Sequence, residues 1–215
     1  MTPHKRWLSA TWSFVRRALP DPPAVVVDLG CGSRGGFVPM LRAEGYDAIG
    51  IDPNAPDEPH YQRTAFEHAD LPRAVDALVA STSLHHVADP AEVIERIAEA
   101  VRPGGVVVVV EWASERFDEK TARWCSERLG SEESWLHELL EDPAGWFARE
   151  GLHRGDELVG LLDERLERRS LAYSPYFFPD LVSTTEADEQ AAIDADEIQA
   201  SRIDYVGTRP LNAHA

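Results

Sequence analysis

Short apolar runs closed by polar or glycine-rich turns alternate with segments whose apolar residues recur at helical spacing. Val25–Val27 reads as a buried strand, and Asp47–Ile51 as a second that ends on an acid, Asp52. Gln62–Ala65 gives a third, weaker strand and Val75–Ser81 a fourth. Val106–Trp112 is the fifth, and its five consecutive valines predict burial on both faces. Between them, His4–Leu19 reads as a helix with a broad apolar face (Trp7, Leu8, Trp12, Phe14, Val15, Ala18, Leu19), ended by Pro20, Pro22 and Pro23. Gly36–Glu44 forms a helix stopped by Gly45. Asp89-Pro90 caps a helix over Ala91–Val101, where Val93, Ile94, Ile97, Ala98 and Val101 share one face. Strands alternating with helices in this way predict a parallel sheet with right-handed crossovers.

The pattern changes after Glu111. Residues 113–170 are rich in charge and tryptophan (Trp124, Trp135, Trp146) and read as helices broken at Gly130, Pro143 and Gly151. An aromatic segment, Arg169–Asp180, and acidic helices up to Ala200 follow, and Ser201–Thr208 reads as a closing strand.

A length of 215 residues allows one ordinary domain with a full core. The net charge of −17 works against a nucleic-acid partner, since phosphate binding needs basic surface. Lys5, Arg6, Arg16 and Arg17 form the only basic cluster. The stretch Asp180–Glu197, which contains no Lys or Arg, reads as a solvated helix face. No apolar run approaches the roughly 20 residues that span a bilayer, so no membrane partner is expected. The first residues lack the apolar core of a secretory signal, and Cys31 and Cys125 give neither a disulfide framework nor metal spacing. A cytoplasmic location follows as the expectation.

The chemistry concentrates in Ala24–Phe37, AVVVDLGCGSRGGF, and in Gly50-Ile51-Asp52. This is a nucleoside-binding strand–turn–helix–strand half: glycines let a ligand approach the backbone, and the acid is placed for a ribose diol. Gly30, Gly32 and Gly35 literally spell G-x-G-x-x-G, the dinucleotide fingerprint, which leaves an NAD(P)-dependent oxidoreductase as one alternative. Asp28 argues against it. An anion two residues before the first glycine opposes phosphates at the helix N-terminus and suits a ligand ending in an ammonium group.

With Arg102-Pro103-Gly104-Gly105 before the valine strand, these residues resemble the class I S-adenosylmethionine-dependent methyltransferases of small-molecule type. The matching motifs are VVVDLGCG, GID and SLHHVADPAEVIERIAEAVRPGGVVVVVEW, over roughly residues 22–113 and again near Ile203–Thr208. The resemblance implies an α/β fold: a Rossmann-like open sheet, mostly parallel with an antiparallel last strand, plus a helical cap. Residues 1–20 would be a cap helix and 22–112 the cofactor-binding core. Residues 113–180 would form the substrate cap, and 181–215 the C-terminal helix and closing strand.

The cofactor implied is S-adenosyl-L-methionine. Asp28, Gly30, Cys31 and Gly32 would hold its methionine end, and Asp52, followed by Pro53, its ribose hydroxyls. Phe66 and Glu67 would take the adenine, or be a core Phe and a surface Glu. Ser81, Leu84, His85 and His86 would lie under the sulfonium, with His86 more than His85 as general base; the alternative is that both merely hydrogen-bond the loop. A base is needed only if the acceptor arrives protonated, because the sulfonium is already an activated leaving group. Two adjacent histidines cannot both face one metal from a strand end without distortion, so no metal is expected. From composition, Trp7, Trp12, Tyr173 and Tyr176 form an aromatic lid for a small-molecule acceptor, or pack an extra helical layer. Arg34 departs from the family pattern, which has its third glycine there. That gives a non-catalytic nucleoside-binding protein some footing as a second alternative.

Overall fold

The computed structural model describes residues 1–72, 74–131 and 134–211. Seven strands form one sheet: β1 (Val25–Leu29), β2 (Asp47–Ile51), β3 (Tyr61–Gln62), β4 (Val75–Ser81), β5 (Val101–Trp112), β6 (Glu167–Ser174) and β7 (Arg202–Thr208). Their spatial order is β3-β2-β1-β4-β5-β7-β6. β1 pairs parallel with β2 and β4, β2 with β3, and β4 with β5. Only β7 runs against its neighbours, antiparallel to both β5 and β6. The α/β reading, with a reversed last strand in a mostly parallel sheet, describes this architecture.

Strand β6 is a correction, because the aromatic segment from Arg169 was assigned to the cap. Its residues are mostly exposed, so the edge position buries neither face and leaves no alternating apolar signal to read.

The valine run explains the two cores. Val107 and Val109 face a cluster with Val27, Leu78, α3 (Pro90–Ala100) and α7 (Gly155–Arg165). Val108 and Val110 face the opposite cluster with Val26, Val79, α1 (Pro3–Ala18) and α2 (Val38–Ala43). With side chains alternating across the sheet, both faces must be apolar. The helix ends follow local chemistry: Thr2 caps α1 ahead of Pro3, and the Asp89 side chain accepts from the Ala91 and Glu92 N–H groups to start α3.

A third cluster forms the cap over the carboxyl ends of the strands. It joins α4 (Glu119–Ser126), α5 (Trp135–Glu141), α6 (Pro143–Glu150), α8 (Glu186–Asp194) and the aromatic loop after β6. Trp112, the last residue of β5, is its hub. The rings of Trp135, Trp146, Phe147, Tyr176 and Phe177 lie 5.5–6.0 Å from it, centroid to centroid.

Two polar groups fix the aromatic loop. Glu189 of α8 is fully buried and accepts backbone hydrogen bonds from Tyr176 (2.7 Å), Phe177 (3.1 Å) and Phe178 (2.7 Å). The acidic stretch is therefore not simply a solvated face. Arg6 of α1 donates to the carbonyls of Pro179 and Leu181, both at 3.0 Å, and to that of Thr184. The N-terminal basic cluster thus contributes a clasp between α1 and the cap.

Candidate active site

The glycine turn after β1 is built around a buried acid. Asp28 is 1% exposed, and its Oδ2 accepts the Phe37 N–H at 2.6 Å. Gly36, at φ +53°, backs directly onto that oxygen, and a Cβ there would collide with it. Gly35 also has positive φ, whereas Arg34 is exposed. Arg34 is therefore at the surface of the turn, and the positions beside it with positive φ are Gly35 and Gly36.

Burial pushes the Asp28 carboxyl up to about 7, the Phe37 and Val38 N–H groups pull it down, and Asp52 pushes it further up. In the unfolded chain it titrates near 3.8. Between these values the folded state keeps a proton that the unfolded state has lost, so this group's contribution to stability falls as pH rises. Asp28→Asn keeps an acceptor for Phe37 and cannot ionise. Its melting temperature relative to the parent chain is expected to rise steadily from about pH 4 to pH 7. A difference between the two melting curves that stays constant over this window would remove Asp28 as a buried titrating group.

Two cavities open at the carboxyl edge of the sheet, where open α/β sheets place their ligands. The first, about 250 Å³, lies over β1, β2 and β4. Gly30 sits at its base with φ +76°, packed so closely on Ser83 that no side chain fits there. Asp52 stands at the end of β2, with Oδ1 accepting the Asn54 N–H at 2.7 Å. Ile51, Pro53, Phe66 and Val87 supply apolar wall, with Glu67 at the rim. A half-exposed carboxylate beside an apolar slot and a side-chain-free floor fits a nucleoside: diol to the acid, base to the slot.

The second cavity, about 390 Å³, lies under the cap. Trp7, Trp112, Trp135, Trp146 and Tyr176 line it, together with His85, His86, Glu150 and Asp180. Thr82 and His86 belong to the walls of both cavities. Thr82 has φ +50°, a conformation that a β-branched residue adopts at a cost, and its N–H is held by the Val110 carbonyl at 2.8 Å.

Glu111 organises this junction. It is fully buried, and Oε1 accepts the Ser83 and Leu84 N–H groups, each at 2.7 Å. Oε2 takes a short hydrogen bond from His85 Nδ1. Burial raises the Glu111 carboxyl, but His85 and the two N–H groups outweigh it and hold the group below its ordinary value. Since a carboxylate only accepts, Nδ1 donates in this bond, and Nε2 has no hydrogen-bond partner among the described residues. Burial, and then neighbouring His85, lowers the pKa of His86, which keeps that ring neutral at physiological pH.

The structure gathers Gly30, Asp52, Pro53, Phe66 and Glu67 at the first cavity and Trp7, Tyr176, His85 and His86 at the second. Other expected site residues lie elsewhere. Asp28 and Cys31 are buried beneath the turn, Leu84 is in the core, and Gly32 does not line either cavity. Burial raises the Cys31 thiol to about 12, so it stays protonated. Ser81 accepts the Trp7 indole N–H at 3.0 Å, and the neighbouring Ser83 lines the first cavity instead. Trp12 stacks on Phe37 in the core, since five residues turn a helix by about 140° away from Trp7. Tyr173 lies on edge strand β6 beneath the Arg116 guanidinium, away from the cavity. The carboxylate partner belongs to His85 rather than to His86, which was preferred as the base. Sequence reasoning missed Glu111, Thr82, Glu150 and Asp180. A lone acid ending a run of buried valines was the available signal for Glu111.

Among the described residues, no group of three His, Cys, Asp or Glu side chains is arranged to hold a metal ion. No helix among them is long and apolar enough to cross a membrane.

A family model described as a methyltransferase domain matches residues 5–152. The chain is 28% identical over 155 residues to a ubiquinone biosynthesis O-methyltransferase of Serratia proteamaculans, covering 64% of this chain and 59% of that protein. It is 29% identical over 171 residues to the Yersinia pestis protein of the same description, covering 70% and 66%. The matched stretch thus spans less than two thirds of those relatives' length. In fold it is similar to an S-adenosylmethionine-dependent methyltransferase from Mesorhizobium loti, with a TM-score of 0.60 and 18% identity over 94% of this chain and 100% of that one.

Proposed function

We infer, since this chain belongs to the methyltransferase-domain family, that it moves a methyl group from S-adenosylmethionine to a small-molecule acceptor held under the cap. The observation that carries this reading is the shared wall. A cleft suited to a nucleoside and an aromatic-lined chamber meet at Thr82 and His86. The relatives described as O-methyltransferases and the S-adenosylmethionine-dependent neighbour support the same reading.

Asp52 would hold the ribose, the slot over Phe66 the adenine, and Gly30 the approach of the methionine part. Asp28 acts one step back, fixing the turn through Phe37. Bound there, S-adenosylmethionine supplies an electrophilic methyl whose bond to sulfur breaks, leaving its electron pair on sulfur, as the acceptor bonds to carbon. The remaining work belongs to the protein. The aromatic chamber orients the acceptor, worth several kcal/mol when two reactants are aligned. His85 Nε2 takes the acceptor's proton, and Glu111 stabilises the imidazolium that results.

Asp52→Ala is expected to weaken S-adenosylhomocysteine binding more than about tenfold, because two ribose hydroxyls lose a shared carboxylate. Isothermal titration calorimetry checks this. An unchanged dissociation constant would move the nucleoside out of this cleft.

A further inference from the structure

The chemistry of the 390 Å³ chamber goes further than a generic acceptor site. Five aromatic side chains line it, and its charged lining groups are two carboxylates, Glu150 from α6 and Asp180 from the end of the aromatic loop. Among the described residues, no lysine or arginine lines it. Two arginines near the wall are already engaged, while exposed Arg34 lies close enough to lining residue His4 to lower its pKa. Arg6 is spent on three backbone carbonyls. Arg202 forms a two-pronged pair with Asp204 and a further bond to Glu186 at 3.0 Å, while lying over the Trp7 ring. Neither offers a free donor to an anion in the chamber.

Aromatic side chains attract cations through their quadrupoles, and carboxylates beside them add a direct attraction. An anionic ligand would meet the negative faces of the rings and two like charges. We propose that the chamber selects an acceptor carrying an alkylammonium group, seated among the aromatic lining side chains and beside the carboxylates of Asp180 and Glu150. This rests on the methyl-transfer reading for what the site does, but the charge preference of the chamber is a separate property. Asp180 fits the role in one more respect. Burial pushes its carboxyl up, only partly offset by the Trp135 indole and Arg6, so a bound cation beside it relieves a penalty that the free protein carries.

The test uses three matched probes: 2-phenylethylammonium, the neutral 2-phenylethanol, and the anionic 3-phenylpropanoate. Each is titrated calorimetrically into the full chain, with and without saturating S-adenosylhomocysteine. The ammonium is expected to bind about tenfold more tightly than the alcohol. The carboxylate should bind more weakly than either. Glu150→Gln, on an exposed helix position, and Asp180→Asn should each reduce ammonium affinity about threefold to tenfold while leaving alcohol affinity unchanged. Retained alcohol binding also shows that the variant chamber is intact. Equal or tighter binding of the alcohol or the carboxylate overturns the proposal, as does a lack of ammonium binding in the parent chain. Failure of S-adenosylhomocysteine to bind would instead count against the methyl-transfer reading, because the charge order is read in its absence as well.

Discussion

Glu111→Ala is expected to destabilise the folded chain by about 3–5 kcal/mol, because three donors lose one buried acceptor and each buried unsatisfied group costs about 1–3 kcal/mol. At this size of chain that lowers the melting temperature by roughly 6–20 °C. The reason is local. The Ser83 and Leu84 N–H groups and His85 Nδ1 all converge on this carboxylate at the end of β5, and alanine leaves all three without an acceptor in a dry site. Glu111→Gln, which keeps the volume, should recover only part of the loss, since an amide N–H₂ must face one of those donors. The pH dependence has a definite sign. The folded pKa lies below the ordinary value of 4.5, so the contribution is complete above that value and is lost as pH falls through the folded pKa. Thermal melts and denaturant titrations of the three chains at neutral pH decide the matter. A glutamine chain as stable as the parent would mean that the carboxylate charge contributes nothing there.

His85→Ala is expected to lower turnover by a factor on the order of 10²–10⁴, the range lost with a general base. His85 lines the acceptor chamber and is absent from the nucleoside cleft, so S-adenosylhomocysteine affinity should stay within about twofold. The measurement is S-adenosylhomocysteine release over a panel of amine and hydroxyl acceptors. The parent rate should rise with pH as a base-assisted proton transfer does, and the residual rate of the variant should lack that limb. A variant with its rate intact, or one whose pH limb survives, assigns the proton to solvent or to another group.

How much of this was legible in the sequence depends on how local each feature is. Strands β1, β2, β4 and β5 are buried on both faces, and such strands read as apolar runs whatever surrounds them. Edge strand β6 carries Arg168, Arg169 and Ser170 in exposed positions, and with no buried face it had no pattern to reveal it. The nucleoside cleft was readable because its wall comes from residues 29–88 in chain order, strand end after strand end. The aromatic chamber was not. Its lining spans residues 3–180, so only packing could decide that Trp7 faces it and Trp12 does not. Glu189 has a different concealment: it reads as an ordinary surface acid, and only the backbone N–H groups that converge on it justify its burial.

The separate origins of the two cavity walls also bear on how such a protein can change over generations. Substitutions in α1, in the cap helices or in the aromatic loop reshape the acceptor chamber without touching the nucleoside cleft. New acceptor preferences can therefore accumulate while the methyl donor stays the same. Thr82 and His86 are the exception. As the two residues common to both linings, they are where a change aimed at one ligand falls on the other as well. A laboratory lineage selected for a new acceptor should accordingly collect its mutations around these two positions and leave both unchanged.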